Sequence, residues 1–171
     1  MLSPRFIPSF FWMLISCLML LSCQTQGEDS ETELAAPRIS CPQGSSSFNA
    51  NCYAFFTTPK SWMEATIACQ RWRSSHLTSV LSELEASFLS FSAEGNEYAY
   101  VWIGLHDPTE QRGNGWKWSN EDVMNYFAWR KTPPSYPHPG HCGALLKDSN
   151  YMEWKDLACD LELPYVCMFE W

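Results

Sequence analysis

Tyr100-Val-Trp-Ile-Gly-Leu-His106 is a run of aromatic and β-branched residues broken by a single glycine. That composition suits a strand buried on both faces, with the glycine marking a close approach by other backbone. The stretch predicts the central strand of a small domain. Asp107-Pro-Thr-Glu-Gln-Arg-Gly-Asn114 follows, a polar, turn-rich segment that a rigid strand would hold out to solvent, where binding residues concentrate. After Gly115, Trp116-Lys-Trp118 then returns as a hairpin partner.

At the other end of the chain, Arg5 supplies a positive start, Phe10 to Leu21 an apolar run, and Thr25-Gln-Gly27 a small-residue cleavage site. Residues 1–27 therefore read as a secretion signal, cut between Gly27 and Glu28. The apolar run, about 12 residues, is too short to span a bilayer, so a secreted, extracellular product with no stable membrane anchor is expected. Residues 28–38 form an acidic leader with few large apolar side chains, which cannot offset its ordering entropy. Arg38-Ile39 is a basic peptide bond just ahead of the next cysteine. A trypsin-like protease would cut there; an unprocessed tail fits the residues equally well.

Residues 39–171 are left as one domain. Nine basic against fifteen acidic residues give it a net charge of −6, the wrong sign for reading a nucleic-acid backbone. Of eight cysteines, Cys17 and Cys23 leave with the signal. The six that remain in an exported chain argue for three disulfides, with the pairing left open by spacing alone.

Cys52 to Thr57 reads as a strand. Ser61-Trp-Met-Glu64 is a capping box, opening a helix that should run to about Trp72 and bury Trp62, Ala65, Ala68, Cys69 and Trp72. A second box, Ser82-Glu-Leu-Glu85, opens another helix with Leu84, Phe88 and Phe91 on its inner face and Gly95 at its end. Residues 122–129 carry no clear assignment. Residues 131–140 hold four prolines and must form a loop. Cys142 to Leu146, Tyr151 to Lys155 and Pro164 to Phe169 read as short strands. The layout is α+β.

Val101-Trp-Ile-Gly-Leu-His-Asp-Pro108, Trp116-Lys-Trp118 and the ending Cys142, Trp154-Lys-Asp156, Cys159, Pro164-Tyr-Val-Cys167 resemble a C-type lectin-like domain. The whole chain, from the signal through Pro37-Arg-Ile-Ser-Cys41 to its last residue, is similar to the secreted regenerating-islet-derived, or pancreatitis-associated, proteins. Asp122-Val-Met-Asn-Tyr-Phe-Ala-Trp129 and Pro139-Gly-His-Cys142 are similar to the pancreatitis-associated branch. The resemblance implies a C-type lectin-like fold, two helices packed on small antiparallel sheets. It also implies the pairs Cys41–Cys52, Cys69–Cys167 and Cys142–Cys159, and cleavage after Arg38.

Sugar-binding members of the wider family hold calcium with a Glu-Pro-Asn or Gln-Pro-Asp loop and a Trp-Asn-Asp strand. Glu110-Gln-Arg-Gly-Asn114 and Trp154-Lys-Asp156 stand here instead. A calcium ion needs about six to eight oxygen ligands, and Lys155 brings a positive charge where an amide oxygen belongs. No cofactor is expected; Glu110, Glu153 and Asp156 read as partners of Lys155 or as solvated surface. Some pancreatitis-associated relatives bind peptidoglycan glycan without calcium, which implies contacts from Glu110, Arg112 and Asn114 with stacking on Trp116 or Trp118. A solvent-exposed turn without a ligand is the competing reading. His106 and His141 suggest zinc, but Cys142 is expected in a disulfide, and Asn51 and Lys117 occupy the positions where zinc-containing relatives carry further ligands.

Partners follow from the same resemblance: bacterial glycan or peptidoglycan in a defence or acute-phase role, or a cell-surface receptor for a growth or signalling factor. Self-assembly after processing is a further expectation. No Gly-x-Ser-x-Gly elbow, no His-Glu-x-x-His and no free thiol support an enzyme.

Overall fold

A computed structural model describes residues 40–109, 115–133, 135 and 140–170. The signal, the leader and their cleavage residues Gly27, Glu28, Arg38 and Ile39 lie outside them, as do Glu110, Arg112 and Asn114. The order of elements is β1 (Ser46–Phe48), β2 (Asn51–Lys60), α1 (Trp62–Cys69), β3 (Ser75–Leu77), α2 (Glu83–Ser92), β4 (Tyr100–His106), β5 (Lys117–Trp118), β6 (Cys142–Leu146), a 3-10 turn (Lys147–Ser149), β7 (Trp154–Leu157) and β8 (Leu163–Glu170).

Every residue from Val101 to Leu105 in β4 is buried. Val101, Ile103 and Leu105 pack with Val80, Leu89, Trp118 and Trp154, while Trp102 belongs to a second cluster with Trp62, Leu77 and Leu157. The glycine in this strand is required by its neighbours. Gly104 donates its N–H to Thr78 O at 2.8 Å, and a Cβ there would lie 2.6 Å from Leu77 O.

The strands form one mixed sheet in the order β1-β2-β8-β4-β6-β7, with β3 added on β8 and β5 on β4. The small antiparallel sheets that the resemblance implies are present, every ladder but one among the described residues being antiparallel. What joins them is a parallel bridge between β4 and β8, Trp102 opposite Tyr165. β1 and β3 escape sequence reading because each has three residues and gains its pairing entirely from a longer neighbour. β7 starts at Trp154, later than expected, because Asn150 (φ 53) and Tyr151 (φ 61) form a left-handed turn ahead of it.

Helix α1 begins as its capping box dictates: Ser61 Oγ accepts from the Glu64 amide and the Glu64 carboxylate accepts from the Ser61 amide. Trp62 Nε1 donates to Ile103 O at 2.8 Å, fixing the helix to the central strand. The helix stops at Cys69, so Trp72 is not a core residue. It is 52% exposed, its ring edge-on to Phe169, because the chain tightens at Cys69 and turns through Ser74 (φ 49) into β3.

Helix α2 is rotated from its expected orientation. Glu85, Ala86 and Leu89 face inward, while Leu84 and Phe91 are 73% and 75% exposed. The cause is Glu85. Its carboxylate does not return to the cap residue; it accepts from Tyr53 Oη at 2.6 Å and from the Leu81 amide at 2.8 Å. Burying that pair turns Leu84 and Phe91 out, while Phe88 packs as expected, against Phe48 and Tyr53, and Ala86 and Ala93 allow close contact with the sheet. Gly95 takes the positive φ (+86) just beyond the helix end.

Three disulfides join Cys41 to Cys52, Cys69 to Cys167 and Cys142 to Cys159. The second ties α1 to β8 across 98 residues of sequence.

Candidate functional site

Two loops leave the sheet at one end. His106, the last residue of β4, pairs with Cys142, the first of β6, which pairs with Leu157, the last of β7. The segment after β4 and the segment before β6 therefore emerge side by side. Each is anchored by a buried aspartate.

Asp107, 2% exposed, anchors the first loop. Its Oδ1 accepts from the Thr109 amide at 3.0 Å and from Thr109 Oγ1 at 2.6 Å, and it also accepts from the Gly115 amide. The two ends of the 110–114 segment thus meet at one carboxylate. Burial alone would raise the Asp107 pKa, but these hydrogen bonds outweigh it and hold the group below the usual carboxylate range. A side chain at Gly115 would sit 2.3 Å from Asp107 Oδ1, so only glycine lets the loop close there.

Asp156 anchors the second loop and is fully buried. Its Oδ2 accepts from the Ser135 amide at 2.8 Å and the Gly140 amide at 3.2 Å, both from the proline-rich segment. Lys155 Nζ lies 3.9 Å from Asp156 Oδ1 and donates to Ser135 Oγ at 2.6 Å. Gly140 is pressed on β7 so tightly that a Cβ would lie 1.9 Å from the Leu157 carbonyl carbon. Asp156 is therefore not solvated surface. Glu153 is not a partner of Lys155 either; it pairs with Arg130 at 2.7 Å.

Trp154 links the two loop bases. The rings of Trp118, Tyr126 and Trp129 meet it edge-on at 5.4–5.6 Å, and Trp116 meets Trp129 at 4.7 Å. Trp118 is buried, so it offers no stacking face to a ligand. Trp116 is half-buried, a wedge between the loop bases more than an open platform. Residues 123–128 alternate outward and inward, with Met124, Tyr126 and Ala128 against the core. The segment has a strand's period without a ladder, apart from the Trp129–Trp154 bridge.

His106 and His141 are not part of any metal-holding cluster among the described residues. His106 stacks on Trp62 with ring centroids 4.6 Å apart; burial, then the charge of Lys117, lowers its pKa. His141 contributes its carbonyl to the Asp107 amide, and Cys142 is in a disulfide. Among the described residues no group of three or more His, Cys, Asp or Glu side chains is arranged to hold a metal. Calcium fares no better at Asp156. One oxygen is committed to two amides and the other faces an ammonium, a donor set that does not fit a divalent cation.

Fold and paired loops define a C-type lectin-like protein. The Lectin C-type domain model matches residues 58–169. Human regenerating islet-derived protein 3-gamma is 54% identical over 175 residues, covering 99% of each chain. The chain belongs to the regenerating islet-derived family of C-type lectin-domain proteins. Among solved structures, human lithostathine superposes with a TM-score of 0.72 at 35% identity, over 84% of this chain and 99% of that one. The cow C-type carbohydrate-recognition domain of CD23, in the presence of a GlcNAc2Man3 oligosaccharide, gives a TM-score of 0.65 at 27% identity, over 75% of this chain and 95% of that one.

Proposed function

We propose that the mature chain is a secreted, calcium-independent binder of glycan, bacterial peptidoglycan in particular. It recognises this ligand through the loops anchored at Asp107 and Asp156. It serves in antimicrobial or acute-phase defence once a trypsin-like protease has cut between Arg38 and Ile39. The observation that carries this reading is the Lys155–Asp156–Ser135 arrangement, in which the protein's own charges and amides tie the proline-rich loop to β7, at the strand where sugar-binding members of the class carry Trp-Asn-Asp. Glu110, Arg112 and Asn114 lie between the two ends that meet at Asp107, and supply an acceptor, a forked donor and an amide for sugar hydroxyls. A relative crystallised with an oligosaccharide supports the ligand class.

Retention on insoluble peptidoglycan, with and without a chelator, tests this. Parent protein should be retained equally in both, and Glu110→Gln should be retained less. Equal retention of parent and Glu110→Gln would remove the first loop from the site.

A second reading is a growth or signalling factor that binds a receptor on epithelial or pancreatic cells. Val123 and Phe127, 75% and 63% exposed beside the loops, favour it as protein-contact residues. Saturable cell binding that excess free glycan does not displace would select this alternative.

A further inference from the structure

A groove of about 410 Å³, whose lining shares no residue with either loop, lies between the C-terminal end of α2 and the 3-10 turn that follows β6. Its volume is in the lower part of the range of natural ligand pockets, roughly 300–1,000 Å³. Three features of its wall suit a ligand.

Phe91 is the first. It stands on the rim of the groove and is 75% exposed, because Glu85 and Ala86 have turned the other face of α2 inward. The second is the mixture of polar groups around it: Ser90, Glu94, Asn96, Lys147 and Asn150. Hydroxyl, carboxylate, amide and ammonium together offer donors and acceptors in one small space. The third is backbone strain. Asn150 and the following Tyr151 are both left-handed, φ 53 and 61. Asparagine tolerates this region; for a bulky aromatic it is an outlier. Tyr151 is held there by its hydroxyl, which donates to Tyr98 O at 2.7 Å, and by its amide, which donates to Leu146 O at 2.7 Å. Backbone strain of this kind concentrates at ligand sites.

Charge excludes one class of ligand, and the polar and aromatic lining favours another. Lys147 Nζ is bonded to Glu97 at 2.7 Å, which leaves Glu94 as the unbalanced charge of the groove, close to the negative end of the α2 dipole. Anionic sugars and phosphate headgroups are disfavoured. An uncharged saccharide is favoured, because each of its hydroxyls both donates and accepts, and the C–H face of its ring can cover Phe91.

We infer that this groove is a second saccharide subsite, taking one or two uncharged sugar rings. It rests on the glycan-binding reading above but not on the loops. With two subsites on one domain, a repeating polymer binds more tightly than either site alone would allow, since the second contact is intramolecular.

The probe is tri-N-acetylchitotriose, titrated into the mature protein and followed by backbone-amide NMR. Heparin hexasaccharide and trilysine are run beside it. Shifts should appear at Ser90, Asn96 and Asn150. Phe91→Ala, at an exposed position, and Asn150→Gly, which keeps the left-handed backbone, should each weaken binding at least about fivefold. Chitotriose affinity unchanged in both variants overturns the subsite, as do shifts confined to residues 107–116. Binding of trilysine or heparin hexasaccharide in the groove in place of chitotriose overturns it too. Failure of the glycan reading itself has another signature: the parent protein is then not retained on peptidoglycan at all.

Discussion

Lys155 Nζ and Asp156 Oδ1 stand 3.9 Å apart at the foot of the proline-rich loop, one charge a quarter exposed and the other fully buried. The two residues are adjacent in β7, and both reach Ser135, the lysine through its hydroxyl and the aspartate through its amide. Their pairing turns an expensive buried charge into a structural anchor.

Removing one partner should therefore be costly. Asp156→Ala strands two loop amides and removes the ammonium's counter-charge, and is expected to destabilise the domain by about 3–5 kcal/mol. Lys155→Met leaves the carboxylate buried with its amide partners only and should be destabilising too. Denaturant unfolding measures both, and limited proteolysis should show the loop at residues 131–140 opening first.

Gly140→Ala places a methyl group against the Leu157 backbone, where the separation would be 1.9 Å. The loop must move away from β7, and the Asp156–Gly140 hydrogen bond goes with it. Faster amide exchange at Ser135 and Gly140 is expected, with the β4 and β8 amides unchanged. A crystal structure of the variant superposing on the parent at this loop would contradict the anchoring.

Stability should fall on both sides of neutrality, for reasons that can be separated. Burial, then the hydrogen bond to Glu85, pushes the Tyr53 pKa well up, and burial raises Tyr126, Tyr151 and Tyr165 as well. A raised folded pKa contributes stability that is present below the unfolded value, about 10 for tyrosine, and lost as pH rises past it. Asp107 and His106 are lowered, so their contributions are present above their unfolded values and lost as pH falls, His106 from about pH 6.5 and Asp107 from about pH 4. Urea unfolding across pH tests this. Tyr53→Phe should lose about 1–3 kcal/mol at neutral pH, since it leaves the Glu85 carboxylate short of a donor, and should flatten the alkaline limb.

Much of the fold was legible because its determinants are local. The run 100–106 carries its own burial pattern, Gly104 marks the approach of Leu77, and Ser61 with Glu64 sets the start of α1. The paired loops were legible only in part. Asp156 reads as a partner of Lys155 or as solvated surface; the pairing with its neighbour holds, but nothing near it in sequence reveals that it will be buried where the amides of Ser135 and Gly140 meet it. Leu84 and Phe91 have the spacing of an inner helix face, yet the Tyr53–Glu85 bond overrides it across 32 residues of sequence. In both places a buried carboxylate with distant donors decides the outcome, and sequence periodicity is blind to such contacts.

Calorimetric titration of calcium into the trypsin-treated protein, alone and with soluble peptidoglycan fragments, is the most direct test of a loop held by Lys155 and Asp156 without a metal. The expected result is no stoichiometric calcium heat and the same fragment affinity in calcium as in chelator. One calcium per chain, with fragment binding lost on chelation, would contradict it.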